Sequence, residues 1–137
     1  MRTSPFVIGT LNARGLVTRQ RLHELEAALF KPPLVGLHPP RSDLLALTEV
    51  RRPVAASSSL RASGAVFLHS GRLDNSHGGV GFIVPPSRKA DVEHFEAVSP
   101  RLAVLDLRLS HGLLLRAVVV YAPADSRDLD GFSDLLE

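Results

Sequence analysis

Hydrophobic positions along this chain come in short blocks divided by turn-forming residues, and the spacing inside the blocks changes from segment to segment. Phe6-Val7-Ile8-Gly9-Thr10-Leu11 is an apolar run closed by Asn12-Ala13-Arg14-Gly15, the pattern of a buried strand running into a turn. From Thr18, a candidate cap, the period becomes helical. Leu22, Leu25, Ala28 and Leu29 share one face while Arg21, His23 and Glu24 point elsewhere, which predicts an amphipathic helix to Phe30 laid on a sheet. Lys31-Pro32-Pro33 ends it, and the four prolines and one glycine of residues 31–40 predict a loop. Residues 43–48 then read as a second buried strand, so strand, helix and strand have the shape of a βαβ unit.

Residues 54–63 are small and polar, and Ser57-Ser58-Ser59 reads as a flexible surface turn. Strands are predicted over 64–69, 79–84, 92–97, 102–109 and 113–120, the last two joined through His111-Gly112 as a hairpin in the middle of a sheet. A further helix is predicted from Leu129, with Phe132, Leu135 and Leu136 on one face; it stops at Glu137 in mid-pattern. Residues 1–137 are therefore expected to form a single, incomplete domain.

Composition narrows this picture. With 137 residues, 45% hydrophobic and 22% charged, the chain has enough apolar surface for one core, and its apolar runs are too short to span a membrane. The absence of cysteine excludes disulfides and thiolate zinc sites, and no secretory leader is visible, so an intracellular setting is expected, nucleus and cytoplasm not being distinguished. Net charge is only +2, but residues 1–61 hold nine Lys/Arg against four Asp/Glu, whereas 122–137 hold one against five. Arginine outnumbers lysine 14 to 2, a bias suited to bidentate phosphate contacts.

Three apolar strands end in one polar residue followed at once by a turn: Asn12, Glu49 and Tyr121. Side chains converge where loops leave strand ends; a carboxylate there can hold a hard cation, and an amide or phenol can orient a phosphoryl group. Arg14, Arg51 and Arg52 flank Asn12 and Glu49 and are the candidates for nucleic-acid phosphates. No two of the six histidines sit at metal-ligand spacing on a predicted helix, and Ser70 and Ser126 have no base at a recognisable spacing. The glycines of Gly78-Gly79-Val80-Gly81 lack the Lys-Ser/Thr of a phosphate loop and predict close strand packing or a bulge.

Several of these strings, in order, resemble the endonuclease/exonuclease/phosphatase superfamily, in particular its retrotransposon-type and AP-endonuclease-like branches. They are Gly9-Thr10-Leu11-Asn12-Ala13-Arg14-Gly15-Leu16, Leu44-Leu45-Ala46-Leu47-Thr48-Glu49-Val50-Arg51, Gly78-Gly79-Val80-Gly81-Phe82-Ile83-Val84, Ser99-Pro100-Arg101-Leu102-Ala103-Val104 and Val118-Val119-Val120-Tyr121-Ala122-Pro123-Ala124. The resemblance implies an α/β fold: the N-terminal portion of a two-sheet, four-layer sandwich of mostly antiparallel strands. It implies a divalent-metal-dependent phosphodiester hydrolase, with Mg²⁺ or Mn²⁺ on Glu49, Asn12 and Tyr121 in the catalytic site, and nucleic acid, DNA first, as the partner. The family's later Asp-x-Asn and Asp-His motifs have no match here. The alternative is therefore a catalytically inactive fragment of a decayed mobile element or of a partial gene model, associating with itself through an uncovered sheet edge.

Overall fold

The computed structural model describes residues 5–30, 42–71 and 78–122. Its elements are β1 (Ile8–Asn12), α1 (Arg19–Phe30), β2 (Leu44–Thr48), β3 (Ala56–Ser59), β4 (Val66–His69), β5 (Gly81–Val84), a 3-10 turn (Pro86–Asp91), β6 (Val92–Ser99), β7 (Leu102–Arg108), a second 3-10 turn (Ser110–Gly112) and β8 (Leu114–Val120). The loop predicted over 31–40, His77 and the helix predicted from Leu129 lie outside the described residues.

Two sheets result, with strand order β1-β2-β5-β4-β3 in the first and β6-β7-β8 in the second. β1 and β2 are parallel, Ile8 opposite Leu44 and Asn12 opposite Thr48, with α1 as the crossover between them. Every other pairing is antiparallel. The chain is thus mixed α/β with two mostly antiparallel sheets. β7 and β8 do form a hairpin, but β8 is the outer strand of its sheet among the described residues.

The alternation of side chains across each strand explains the layers. On β2, Leu44 and Ala46 face the second sheet and Leu45 and Leu47 face α1, so the run is apolar on both sides because both sides are covered. The core between the sheets joins Leu44, Ala46, Leu68, Val80, Phe82 and Val84 to Ala103, Leu105, Leu107 and Val119. A second core seats Leu22, Leu25, Leu29 and Phe30 of α1 on Leu45, Leu47, Val50, Phe67 and Ile83. Thr18 caps the helix as expected, its Oγ accepting from the Arg21 N–H at 3.1 Å. The outer face of the second sheet leaves Val98, Val118 and Val120 exposed, around a bidentate pair in which Arg116 donates to Asp106 at 2.8 and 3.0 Å and holds its carboxyl below the usual range.

Two expectations are corrected. Ser57-Ser58-Ser59 is not a turn: these residues form β3, paired with Leu68, Phe67 and Val66 of β4. Nothing in their side chains announces a strand, because the ladder is made by the backbone and both faces of β3 are exposed. On α1, Ala28 is exposed and Glu26 is buried in its place. The Glu26 carboxylate accepts from the Ser63 backbone N–H at 2.8 Å and the Ser63 hydroxyl at 2.6 Å, which ties the β3–β4 turn to the helix and satisfies the buried charge.

His69 is 1% exposed; its Nδ1–H donates to the Ser70 carbonyl at 3.1 Å, and its Nε2 has no hydrogen-bond partner among the described residues. Burial lowers its pKa from the ordinary value, with a further contribution from the Arg52 charge and against the Ser70 hydrogen bond. The folded protein therefore resists protonation that the unfolded chain accepts near pH 6.5, so this contribution to stability is complete above that pH and declines below it. Urea melts at pH 7.5 and 5.0 are expected to show a loss in the wild type that His69→Leu reduces; an unchanged difference would assign the acid sensitivity to other groups.

Candidate active site

β1 and β2 end side by side, and the two turns that follow are laced together by their backbones. Ala13 N–H donates to Thr48 O at 2.8 Å, Gly15 N–H to Glu49 O at 2.8 Å and Leu16 N–H to Val50 O at 2.9 Å. Three non-glycine residues in these turns adopt left-handed backbone: Arg14 (φ 51°), Glu49 (φ 52°) and Arg51 (φ 61°). Such conformations are costly for residues with a Cβ and concentrate at functional turns. Here the ladder continuing past both strand ends holds them.

The same network reaches the second sheet. Val50 N–H donates to Gly79 O at 2.9 Å, Arg51 N–H to Gly78 O at 3.0 Å, Gly79 N–H to Pro100 O at 2.8 Å and Tyr121 N–H to Arg101 O at 2.9 Å. Gly79 has φ 97°, and a Cβ added there would meet the Arg51 nitrogen at 3.0 Å, so the expectation that these glycines permit close approach holds at the site. Asn12, Glu49 and Tyr121 are thereby carried on loops joined at one end of the molecule.

Individual side chains have distinct settings. Asn12 Oδ1 accepts from the Arg14 N–H at 3.3 Å, a local turn that leaves its amide nitrogen facing solvent. The Glu49 side chain is 12% exposed, and its Oε1 accepts from Arg51 Nη2 at 2.7 Å. Arg51 Nε is buried without a hydrogen-bond partner among the described residues. Arg14 is exposed, as a phosphate contact requires. Arg52 turns inward: its guanidinium lies 5.3 Å from the Phe67 ring centre and its Nε donates to Leu16 O at 2.9 Å. Tyr121 is half-buried, with the Arg101 guanidinium 5.6 Å from its ring centre.

Arg101 is the residue that sequence reasoning passed over as a site member. Its N–H donates to Ser99 Oγ at 3.0 Å and its Nη1 to Tyr121 O at 3.4 Å, so it shapes the loop that presents the phenol. The signal available was the Ser99-Pro100-Arg101 string itself, which as a pattern marks only a turn. Among the described residues no three His, Cys, Asp or Glu side chains gather as a metal-ion cluster.

The fold and this end of it define a mixed α/β protein with a polar cluster at the carboxyl ends of two parallel strands. No family profile, curated protein or solved structure matches the chain at a significant level.

Proposed function

We propose that this chain is a divalent-metal-dependent phosphodiester hydrolase of the endonuclease/exonuclease/phosphatase type, acting on nucleic acid. The observation that supports it is the side-by-side ending of β1 and β2, with Asn12 opposite Thr48 and Glu49 next in the chain in left-handed backbone, in turns bonded through Gly78-Gly79 and Pro100 to the Tyr121 loop. One carboxylate beside a primary amide is a sparse donor set, and it fits a magnesium ion that keeps several waters and shares substrate oxygens. Glu49 would hold the ion; when bound, Mg²⁺ supplies positive charge to the phosphate oxygens. Asn12 orients a phosphate oxygen through its amide nitrogen, Tyr121 donates its phenol to the scissile phosphate, and Arg51 keeps the Glu49 carboxylate oriented and its charge screened.

A fourth layer over the outer face of the second sheet belongs to the same proposal, as does self-association through the β8 edge where that face stays open. No helix among the described residues is long and apolar enough to cross a membrane. An intracellular compartment suits a nucleic-acid substrate.

The test is incubation of the purified chain with supercoiled plasmid and Mg²⁺, with EDTA and Glu49→Gln as controls. Nicking is expected to need both the metal and Glu49, and Tyr121→Phe to weaken it less. Full activity of Glu49→Gln would refute the metal assignment, and no nicking by the wild type would leave the chain without this chemistry.

A further inference from the structure

A second concave surface, apolar at its floor and arginine-lined, lies on the helix side of the first sheet. An open cavity of about 710 Å³ runs between α1 and β3 and is lined by Arg19, His23, Arg52, Ser58, Ser59 and Arg61 among others. Its one carboxylate, Glu26, is already engaged by the Ser63 N–H and hydroxyl. Three guanidinium groups against that one carboxylate leave the cavity cationic.

Five other arginines among the described residues are committed. Arg51 pairs with Glu49, Arg88 with Asp43 and Asp91, Arg108 with Glu93 and Arg116 with Asp106. Arg21 donates to the Gly15 and Ala13 carbonyls. Arg19 and Arg61, by contrast, are exposed and have no acidic partner among the described residues. Arg52 is held rigid by Phe67 and Leu16 O, which leaves its terminal nitrogens for a ligand. The Ser58 and Ser59 hydroxyls add neutral donors on an edge strand that has no outer neighbour among the described residues.

Planar donors around a concave surface, in excess over its carboxylate, match an extended polyanion. The position selects which one. Arg52 follows Glu49 by three residues, and Arg19 starts the helix that follows the Asn12 turn, so the chain segments that carry the candidate site also line the groove. We propose that the α1–β3 groove binds the phosphate backbone of a nucleic-acid strand, with Arg19, Arg52 and Arg61 as its phosphate contacts. The choice of nucleic acid over another polyanion rests on the hydrolase reading; the cationic groove itself does not.

Binding of a fluorescein-labelled 20-nucleotide single strand, followed by anisotropy in EDTA so that no cleavage intervenes, tests this with the full chain. Arg19→Gln/Arg61→Gln is expected to weaken binding about tenfold and to reduce the slope of log affinity against log salt by about 1.4, because two phosphates go without their arginine partners. Lys89→Gln/Arg108→Gln removes the same net charge elsewhere and is expected to bind like the wild type. Arg19 and Arg61 are exposed, so circular dichroism is expected to show unchanged folding. Wild-type affinity in the groove variant, equal weakening in the charge control, or no binding by the wild type would each overturn the proposal. Competition by pyrophosphate as strong as by unlabelled oligonucleotide would assign the groove to a small phosphate ligand instead. If plasmid nicking fails while the arginine-dependent binding persists, the hydrolase reading falls and the groove stands; if nicking succeeds with the groove variant binding normally, the reverse holds.

Discussion

Gly81→Ala is expected to lower stability by about 3 kcal/mol or more, at or beyond the usual limit for overpacking in a core. Gly81 begins β5, between Leu47 of β2 and His69 of β4. A Cβ placed there would stand 2.2 Å from the Leu68 carbonyl oxygen and 2.9 Å from the Cα and Cβ of His69. These are backbone atoms and a buried ring's root, not the end of a flexible side chain. β4 has to move away from β5, and the adjoining bonds from Ser70 N–H to Val80 O and from Val80 N–H to Ser70 Oγ, 2.8 and 2.9 Å, move with it. Gly112→Ala is the control, since it has φ 74° but nothing within 4 Å of the added carbon. It carries only the left-handed penalty of about 1–2 kcal/mol. Urea or thermal melts of the two variants should separate them clearly; equal losses would mean that contact between β4 and β5 is not what Gly81 serves.

Phe82→Ala is expected to cost about 3–5 kcal/mol, the range for a large aromatic side chain removed from a core. Phe82 is 1% exposed and sits in the core that joins the two sheets. Its ring meets Phe95 of β6 edge-on, with centres 6.3 Å apart and planes at 89°, a geometry that adds about 0.5–1.5 kcal/mol beyond burial. The loss approaches the whole stability of a domain this size, about 5–15 kcal/mol. The variant is therefore also a test of the sandwich: a loss under about 1 kcal/mol in urea melts would mean that the second sheet does not pack over Phe82. Because the Gly79 N–H to Pro100 O bond joins the turn before β5 to the second sheet, the candidate site depends on that packing.

Much of this architecture could be read from the chain alone. The apolar runs ending at Leu11, Thr48, Val84, Leu109 and Val120 became β1, β2, β5, β7 and β8, because a run of that length has few ways to hide its side chains other than a covered strand. The period at Leu22, Leu25 and Leu29 became α1, and the prolines after it marked its end. Asn12, Glu49 and Tyr121 were singled out because a lone polar group at the end of an apolar strand stands out against its neighbours.

Tertiary structure decided what those patterns do not encode. β3 exists because β4 offers its edge to the backbone of Ala56-Ser57-Ser58-Ser59, an interaction to which side-chain pattern is blind. Glu26 is a satisfied buried charge only because Ser63 arrives from another segment to bond it, and His69 is buried beside the Phe67 ring with the Arg52 charge acting on it. The pairing of Glu49 with Arg51, the inward turn of Arg52 and the left-handed backbone at Arg14, Glu49 and Arg51 depend on the parallel alignment of β1 with β2. Local sequence determined which segments bury their side chains, since burial follows periodicity. Contacts between segments distant in the chain determined which polar groups meet, since a hydrogen bond depends on distance in space and not on spacing in sequence.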